Sequence, residues 1–389
     1  MKKALAILLA ALMLLALCAC GSSSAPAASS SSTSAPAASS SGSSAGAPAA
    51  SSGSSETKTD TPAATEAPAP VSDGKVYDLT FASTAAEGNP LYDLLQKPVM
   101  DAITEASGGR ITFTVYTNGS LAGFGEILKG CQTGLCDMGA DNVANYPGVY
   151  PYDELLCVPG LYFGATLEEK IDNLYKYSQT YTAPAYAEQG IYLIGETPGV
   201  PVYLYTTKPI EQTSDLASRT FATSANYAQM VTAYGASASN MIPAEQYEAV
   251  RLNVIDSIIN GAGPLSAFRL YEVLGYAYEL PFATVFNQFF MSKAAYDRLP
   301  ADLQKVIDDF RFSEAYKQIS KNFVDGMMAN VTAAVDAGNP DFVFAQLPDA
   351  VANDLMAACD NQINAAVQKL RDAGLDADGA LAMLESFKK

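Results

Sequence analysis

The side chains that could carry out chemistry in this chain are limited first by the absence of histidine from all 389 residues. Histidine-dependent serine and cysteine nucleophiles, histidine-ligated zinc and histidine pH switches are therefore excluded. Carboxylate-only, serine–lysine and metal–carboxylate chemistry stay possible. An exported carboxylate-dependent hydrolase is one alternative, but it predicts a close pair of buried acids in a cleft, and the sequence shows no obvious pair of this kind.

Six cysteines are present, and four of them lie in the body of the chain, at Cys131, Cys136, Cys157 and Cys359. No C-x-x-C pair occurs, so the spacing typical of thiol–metal sites is absent. Cys131 and Cys136 are close enough in sequence to bridge across a helix-to-strand turn, which an exported compartment would allow. Isolated buried thiols are the alternative interpretation of the same residues.

Two glycine-containing segments match known ligand motifs only in part. The segment 374–385 has the later spacing of a calcium loop, but glycine stands at the first ligand position. The segment 123–130 has an incomplete glycine fingerprint without the lysine–serine pair that binds phosphate. The sequence therefore predicts neither a metal site nor a cofactor.

The N-terminus indicates where the protein works. Two lysines precede an apolar run from Ala4 to Leu17, which is too short for a transmembrane helix and closes on small residues, as secretory signals do. The residues before Cys20 resemble the lipobox of bacterial lipoproteins, which predicts a signal peptide at 1–20 and lipidation of Cys20. Cys18 would place Leu17 at the cleavage position, where a small residue is normal. A plain export signal is the alternative.

Residues 21–75 are almost wholly Ser, Ala, Pro, Gly and Thr. Such a composition cannot bury enough apolar surface to offset its ordering entropy, so we expect a disordered linker. The chain carries 41 acids and 23 bases; removal of the signal and its two lysines leaves 21 bases and a balance of −20. Nucleic acid is an improbable partner for that charge, and contact with a membrane is expected through the lipid anchor only.

The body from about residue 76 to residue 389 alternates strands with helices, which predicts an α/β fold with a parallel sheet, followed by a second sheet. The predicted elements of the first part are strands at 76–83, 111–116 and 137–141 and helices at 91–106 and 124–133. An apolar strand at 191–194 precedes the strands of the second sheet, predicted at 203–207, 220–223 and 255–259.

Apolar residues recur at helical spacing after Leu299-Pro300, and no proline appears before Pro340. A helix continuous to Val335 would have about 36 residues and a length of roughly 54 Å, which exceeds the diameter of one small domain. We therefore expect it to brace both domains, with Gly326 as its weak point. Two α/β lobes on one shared helix imply a cleft and a hinge.

The body also resembles a known family in the order and spacing of its short motifs. These motifs are S-G-G-R at 107–110, N-G-S-L at 118–121, G-x-x-D at 134–137, K-P-I at 208–210, D-L at 215–216, G-A-S at 235–237, E-x-Y-x-A at 245–249, V-I-D at 254–256 and L-P-x-x-L-Q-K at 299–305. They resemble the TRAP-transporter substrate-binding proteins, the DctP family, over essentially all of the body.

This resemblance implies a two-lobed periplasmic-binding-protein-like fold that captures a small organic solute and delivers it to TRAP permease membrane subunits, without catalysis. Lobe I is expected at 76–199 and 286–325, and lobe II at 200–285 and 326–389. The protein would work outside the cytoplasm, anchored to the outer face of the cell membrane. A ligand-sensing lipoprotein that docks a membrane receptor is a second alternative.

The arginine that forks onto a substrate carboxylate in many family members is missing here. Its position in the motif corresponds to Ala222, and a second arginine position corresponds to Val202. Arg219 lies three residues before Ala222, so a strand would point it to the opposite face. Amides and aromatic rings without a cation suit a neutral polar, aromatic or cationic ligand.

The resemblance places several other side chains in the cleft, with Asn260 matching an asparagine that many members use. The remaining expected ligand contacts are Thr84, Glu87, Phe124, Asn142, Asn145, Tyr203 and Tyr205. Each has a structural alternative: the two tyrosines alternate as core strand residues do, and the asparagines stand where turns need them. Glu87 follows the first strand and could balance a cationic ligand.

Overall fold

The computed structural model describes residues 74–142 and 149–387 of the chain. The predicted signal peptide, Cys20, Asn145 and almost all of the predicted linker lie outside the described residues. Within the described ranges, no helix is both long enough and apolar enough to cross a membrane. The body contains two β-sheets, and helices cover them.

The strands of the described residues are β1 (Tyr77–Ser83), β2 (Ile111–Tyr116), β3 (Met138–Asn142), β4 (Ile191–Pro198), β5 (Val202–Thr206), β6 (Thr220–Ala222), β7 (Ser237–Ser239), β8 (Ser257–Gly261), β9 (Tyr276–Glu279), β10 (Phe286–Ser292) and β11 (Val343–Ala345). All of the strands expected from the sequence are present. The strand expected at 191–194 extends to Pro198 and belongs to the first sheet rather than to the second.

The α-helices of the same ranges are α1 (Lys97–Ala106), α2 (Ile127–Thr133), α3 (Pro151–Leu156), α4 (Leu167–Tyr177), α5 (Ala183–Glu188), α6 (Ala225–Thr232), α7 (Pro243–Arg251), α8 (Gly263–Ala267), α9 (Lys293–Asp297), α10 (Ala301–Phe310), α11 (Glu314–Gly338), α12 (Asp349–Ala357), α13 (Asp360–Asp372) and α14 (Ala377–Ser386). Single π-helical turns at Tyr92–Gln96 and Ser178–Thr182 lead into α1 and α5, and short 3-10 turns lie at Thr213–Leu216 and Leu270–Glu272.

The first sheet, called sheet A, has the strand order β2-β1-β3-β10-β4. The parallel arrangement of β1 with β2 and β3 is confirmed, while β10 runs antiparallel to β3 and β4. Both faces of sheet A are covered, because Phe289 packs in one hydrophobic cluster and its neighbour Phe290 in another. Such a sheet is buried on both sides and leaves its strand ends as the accessible edge.

The second sheet, called sheet B, has the order β11-β9-β5-β8-β6-β7 and is mixed. Strand β5 pairs antiparallel with β8 and β9, whereas β6 pairs parallel with β7 and β8. The chain passes between sheets A and B three times, between β4 and β5, between β9 and β10, and between β10 and β11, where α11 lies. The backbone amide of Gly199 in the first segment donates to the carbonyl of Val285 in the second, at 2.7 Å.

The long helix is shorter than the sequence pattern predicts, and it begins later. Helix α10 ends at Phe310, Phe312 takes a positive φ of 51°, and the Ser313 side chain caps α11 by accepting from the amide of Tyr316. The continuous helix across 300–335 is therefore wrong. Gly326 is not a break either, since it lies inside the 25-residue α11, which is about 38 Å long.

The bracing role of α11 is confirmed by the two cores in which it packs. Tyr316 and Phe323 belong to the cluster beneath sheet A, and Val331 and Val335 belong to a cluster beneath sheet B. The contact with sheet A depends on Gly195 of β4, where an added Cβ would lie 2.6 Å from the ring of Tyr316. One helix thus joins the cores of two sheets, as a two-lobed fold requires.

Candidate functional site

The strand-end pocket lies where β1 and β3 end, and its volume is about 380 Å³. Carboxyl ends of parallel strands in open α/β sheets are the usual place for a ligand. Thr84 directly follows β1, Asn142 closes β3, and Asn287 pairs with Asn142 across the β3–β10 ladder. The lining residues are Thr84, Leu91, Leu95, Gln96, Phe124, Ala140, Asp141, Asn142, Val285 and Asn287.

Two polar side chains of this pocket are nearly sealed from solvent. Gln96 is 2 % exposed, and its Oε1 accepts a hydrogen bond of 2.5 Å from the hydroxyl of Ser83. The amide nitrogen is then the polar group that Gln96 can offer to a solute. Asp141 is 6 % exposed, and its two oxygens accept from the backbone amides of Gly125 and Asn142, at 3.2 and 2.8 Å.

Phe124 is the most exposed side chain of the pocket wall, with 74 % of its surface accessible. The bond from the Gly125 amide to Asp141 ties its loop to β3, and the Gly123 amide donates to Glu126 at 3.0 Å. A large aromatic ring held open on a fixed loop offers an apolar face to a small guest. Of the expected site residues, Thr84, Phe124 and Asn142 are thus brought together.

Asn260 and Tyr203 lie elsewhere, opposite each other on β8 and β5 of sheet B. Asn260 accepts from the amide of Gly261 at 2.8 Å through its Oδ1, so it makes the turn contact that is its structural alternative. Tyr203 lines a second cavity of about 340 Å³, which lies beside the segments 198–201 and 279–284 and which we call the crossover pocket. Neither residue is among those lining the strand-end pocket.

Three expected ligand contacts remain, namely Tyr205, Glu87 and Asn145. Tyr205 is fully buried in a core cluster, and its hydroxyl donates to the carbonyl of Gly261 at 3.3 Å. Glu87 is exposed in the loop after β1 and does not line the strand-end pocket. Asn145 falls in 143–148, outside the described residues.

The positions of the missing arginines are apolar and sealed. Ala222 and Val202 are 0 % and 1 % exposed. Arg219 does not replace a clamp, because its guanidinium donates to the carbonyls of Asp215, Lys208 and Pro209 at 2.6 to 3.2 Å. A guanidinium with three backbone acceptors stabilises the local turn and does not bind a ligand.

The crossover pocket contains a basic side chain that the sequence did not indicate. Lys170 of α4 reaches Glu279 of β9, with 3.3 Å between Nζ and Oε1, and thereby links an element beside sheet A to a strand of sheet B. Its charge is balanced within the protein by this partner. Gln96 and Asn287 of the strand-end pocket were also not predicted; neither belongs to a motif that the sequence displays.

A pair of buried carboxyls, Asp153 of α3 and Glu196 of β4, lies in the interior and lines no part of the strand-end pocket. The Gln288 amide donates to both, with 3.2 Å to Asp153, and the Ser178 hydroxyl donates to Glu196. Burial raises the pKa of Asp153 to about 7 and, together with the charge of Asp153, raises the pKa of Glu196 well above its usual range.

Residues 81–323, more than half of the chain, match the model of DctP, described as bacterial extracellular solute-binding protein, family 7. The chain belongs to this family. Among relatives, it is 24 % identical over 201 residues to the ectoine/5-hydroxyectoine-binding periplasmic protein UehA of Ruegeria pomeroyi. That match spans 50 % of this chain and 58 % of the relative, so it reaches little more than half of UehA.

Solved structures of similar proteins carry the same fold. A TRAP periplasmic solute-binding protein from Desulfovibrio salexigens matches with a TM-score of 0.72 and 18 % identity, over 80 % of this chain and 95 % of that chain. A marine-metagenome TRAP solute-binding protein specific for aromatic acid ligands, with bound 3-hydroxybenzoate, gives 0.66 and 20 %, over 81 % and 100 %. The two-lobed fold of the family 7 protein is thereby confirmed.

The family description also gives the broad class of its members. Family 7 proteins and these neighbours are substrate-binding receptors rather than enzymes, and the family is extracytoplasmic. The resemblance found in the short sequence motifs is confirmed at this level.

Proposed function

We propose that this family 7 protein captures a small organic solute outside the cytoplasm and delivers it to a TRAP-type permease. The observation that carries the proposal is the strand-end pocket, where Thr84, Phe124 and Asn142 come together at the ends of β1 and β3. Polar groups and an exposed ring around a cavity of this size suit a small organic molecule. The protein performs no bond chemistry in this scheme, and the closed state is selected by its higher affinity for the solute.

The solute is neutral and polar, aromatic or cationic rather than a carboxylate held by an arginine fork. In support, no lysine or arginine is among the described residues that line the strand-end pocket, and Asp141 places a carboxylate there. Lys170 lines the crossover pocket together with Tyr203, but Glu279 balances its charge. The neighbouring segment 143–148 has the sequence V-A-N-Y-P-G and carries no basic residue either. Loss of one partner from a buried charge pair costs about 2–5 kcal/mol, which is enough to change the preferred ligand class.

Closure would bring sheet B against this pocket, and Asn260 and Tyr203 of sheet B would then contact the solute. Lobe I comprises 76–199 and 286–325 and contains sheet A, while lobe II comprises 200–285 and 326–389 and contains sheet B. Their boundaries follow the segments around Gly199 and Val285. Helices α13 and α14 at the end of lobe II pack against α3 and α4 of lobe I, so closure must keep or slide this contact.

The membrane is reached through lipidation of Cys20, and the linker at 21–75 gives the receptor its range. Replacement of Cys20 by serine is expected to move the protein from the membrane fraction to the soluble fraction. The variant Cys18→Ser is the matched control and should stay membrane-bound. Retention of Cys20→Ser in the membrane fraction would refute lipidation at this residue without affecting solute capture.

A thermal-shift panel of carboxylates, neutral polyols, aromatics and amines tests the proposal. A solute present at 100 times its dissociation constant adds about 2.7 kcal/mol of stability, which raises the melting temperature by a few degrees. We expect a neutral, aromatic or cationic member to stabilise the protein. Stabilisation by carboxylates alone would overturn the proposed ligand class.

Two alternatives receive no support from the site. A sensor of the same solute would use the same pocket and differ only in its membrane partner. A carboxylate hydrolase would need acids that face the substrate, whereas Asp153 and Glu196 are buried and bonded to Gln288 away from the strand-end pocket.

A further inference from the structure

The thiols of Cys131 and Cys136 touch each other, with 3.3 Å between their sulfur atoms. Both are free cysteines, and they are 0 % and 1 % exposed. They belong to the cluster that covers the face of sheet A bearing Leu193 and Phe290. A disulfide needs about 2.05 Å between sulfurs, so these atoms must approach by about 1.3 Å.

The backbone turn between the two cysteines is built to bring them together. Gly134 adopts a left-handed φ of 79° where α2 ends, and the amide of Leu135 returns to the carbonyl of Gly130 at 2.8 Å. This is the bond pattern of a glycine-terminated helix, which reverses the chain against its last turn. Gly130 leaves space for the returning thiol, since an added Cβ there would lie 3.2 Å from Sγ of Cys136.

The two thiols are hydrogen-bonded to each other, and either sulfur can be the donor. A thiolate is the attacking species in thiol–disulfide exchange, so either cysteine can make the first attack and the other then resolves the mixed disulfide.

We infer that Cys131 and Cys136 form a structural disulfide in the extracytoplasmic protein, installed by exchange with a disulfide oxidant while the chain folds. One of the two cysteines attacks a sulfur of the oxidant as its thiolate and releases one thiol. The other cysteine then loses its proton and attacks the sulfur of the first cysteine, which releases the second thiol. The protein loses two electrons and two protons, and the oxidant becomes two thiols. The inference rests on the extracytoplasmic location, where disulfides persist.

The disulfide would fasten two walls of the strand-end pocket to each other. Cys131 lies in α2, which follows the loop carrying Phe124, and Cys136 precedes β3, which ends at Asn142. A covalent link at this turn holds the end of α2 against the chain that enters β3. Such preorganisation lowers the ordering cost of binding.

The test is refolding of the reduced, denatured full chain in a buffer of oxidised and reduced glutathione, followed by alkylation in denaturant and peptide mapping. We expect Cys131 and Cys136 to resist alkylation and to appear as one cross-linked species lighter by two hydrogens, while Cys157 and Cys359 are alkylated. Free thiols at both positions, glutathione adducts at either, or bridges to other cysteines would overturn the inference. None of these outcomes depends on solute binding, so this test of the disulfide is independent of the test of the proposed function.

Melting with and without prior reduction supplies the second measurement. A bond that closes a loop of six residues should raise the melting temperature by about 3 °C. The variant Cys131→Ser/Cys136→Ser should melt like the reduced protein and show no response to reductant, and the matched control Cys157→Ser should keep the full response. An identical melting temperature for oxidised and reduced wild type would contradict a structural role.

Discussion

Replacement of the buried carboxyl of Asp153 by an amide should change how the stability of the protein depends on pH. Asp153 is 1 % exposed, and burial raises its pKa from 3.8 to about 7. The folded state therefore binds this proton more tightly than the unfolded state does. Its contribution to stability is complete below about pH 4 and is lost as the pH rises through about 7.

The magnitude follows from the shift itself. A change from 3.8 to about 7, at 1.36 kcal/mol per pKa unit, corresponds to about 4 kcal/mol lost on full ionisation. The variant Asp153→Asn cannot ionise, and its amide oxygen can still accept the bond that Gln288 now donates to Asp153 at 3.2 Å. The free energy of unfolding of the variant minus that of wild type should therefore grow by up to about 4 kcal/mol between pH 4 and pH 8.5.

Urea unfolding followed by circular dichroism at several pH values measures this difference. Glu105→Gln is the matched control, because it removes one negative charge from an exposed position of α1. The control reports how much stability comes from lowering the net negative charge alone. A difference for Asp153→Asn that stays constant or shrinks with rising pH, or that equals the control, would refute the assignment of Asp153 as a buried, protonated carboxyl.

Three further substitutions test the fold around the site. Gly199→Ala places a Cβ 2.5 Å from Cγ2 of Val285 and should lower the free energy of unfolding by about 1–3 kcal/mol. Changing Val285 to alanine as well should restore part of this loss, because the carbonyl oxygen of Val285 stays 3.0 Å from the new Cβ, and no loss in the single variant would show that the connecting segments can separate freely. Gly195→Ala meets the ring of Tyr316 at 2.6 Å and should destabilise similarly in the same urea assay; an unchanged midpoint would contradict the close packing of α11 on β4. Arg219→Lys loses the planar guanidinium that reaches three carbonyls, so it should lower the free energy of unfolding by about 2 kcal/mol and leave solute affinity unchanged. A specific loss of affinity in titration calorimetry would make Arg219 a ligand residue.

The elements were predictable where local pattern and tertiary structure agree. Strand β2 has the bounds 111–116 that its alternation predicts, and β1 to β3 form the parallel set that their order predicts. The prediction of one continuous long helix was wrong at Phe312, because the spacing of apolar residues does not indicate a positive φ at a bulky residue. Its bracing role was nevertheless predictable from length, since even α11 alone reaches two cores.

The site was predictable only in part, for reasons that lie in tertiary structure. The family resemblance placed Thr84 and Asn142 in the cleft, and they do line one pocket, because Thr84 follows β1 and Asn142 closes β3, two strands that pair in parallel. Asn287 reaches the same pocket on an antiparallel strand from far along the chain, and Gln96 belongs to a π-helical turn that no periodicity marks. The raised pKa of Asp153 comes from burial, which one carboxyl in a sequence cannot reveal.

Titration calorimetry with the panel member that stabilises the protein tests most directly whether the strand-end pocket holds the solute. Wild type is compared with Asn142→Ala, in which one polar group of the pocket is lost, and with Asn361→Ala, a matched change at an exposed position of α13. We predict that Asn142→Ala weakens binding by about tenfold to a hundredfold and that Asn361→Ala leaves it unchanged. Equal affinities for all three proteins would contradict capture of the solute between the ends of β1 and β3.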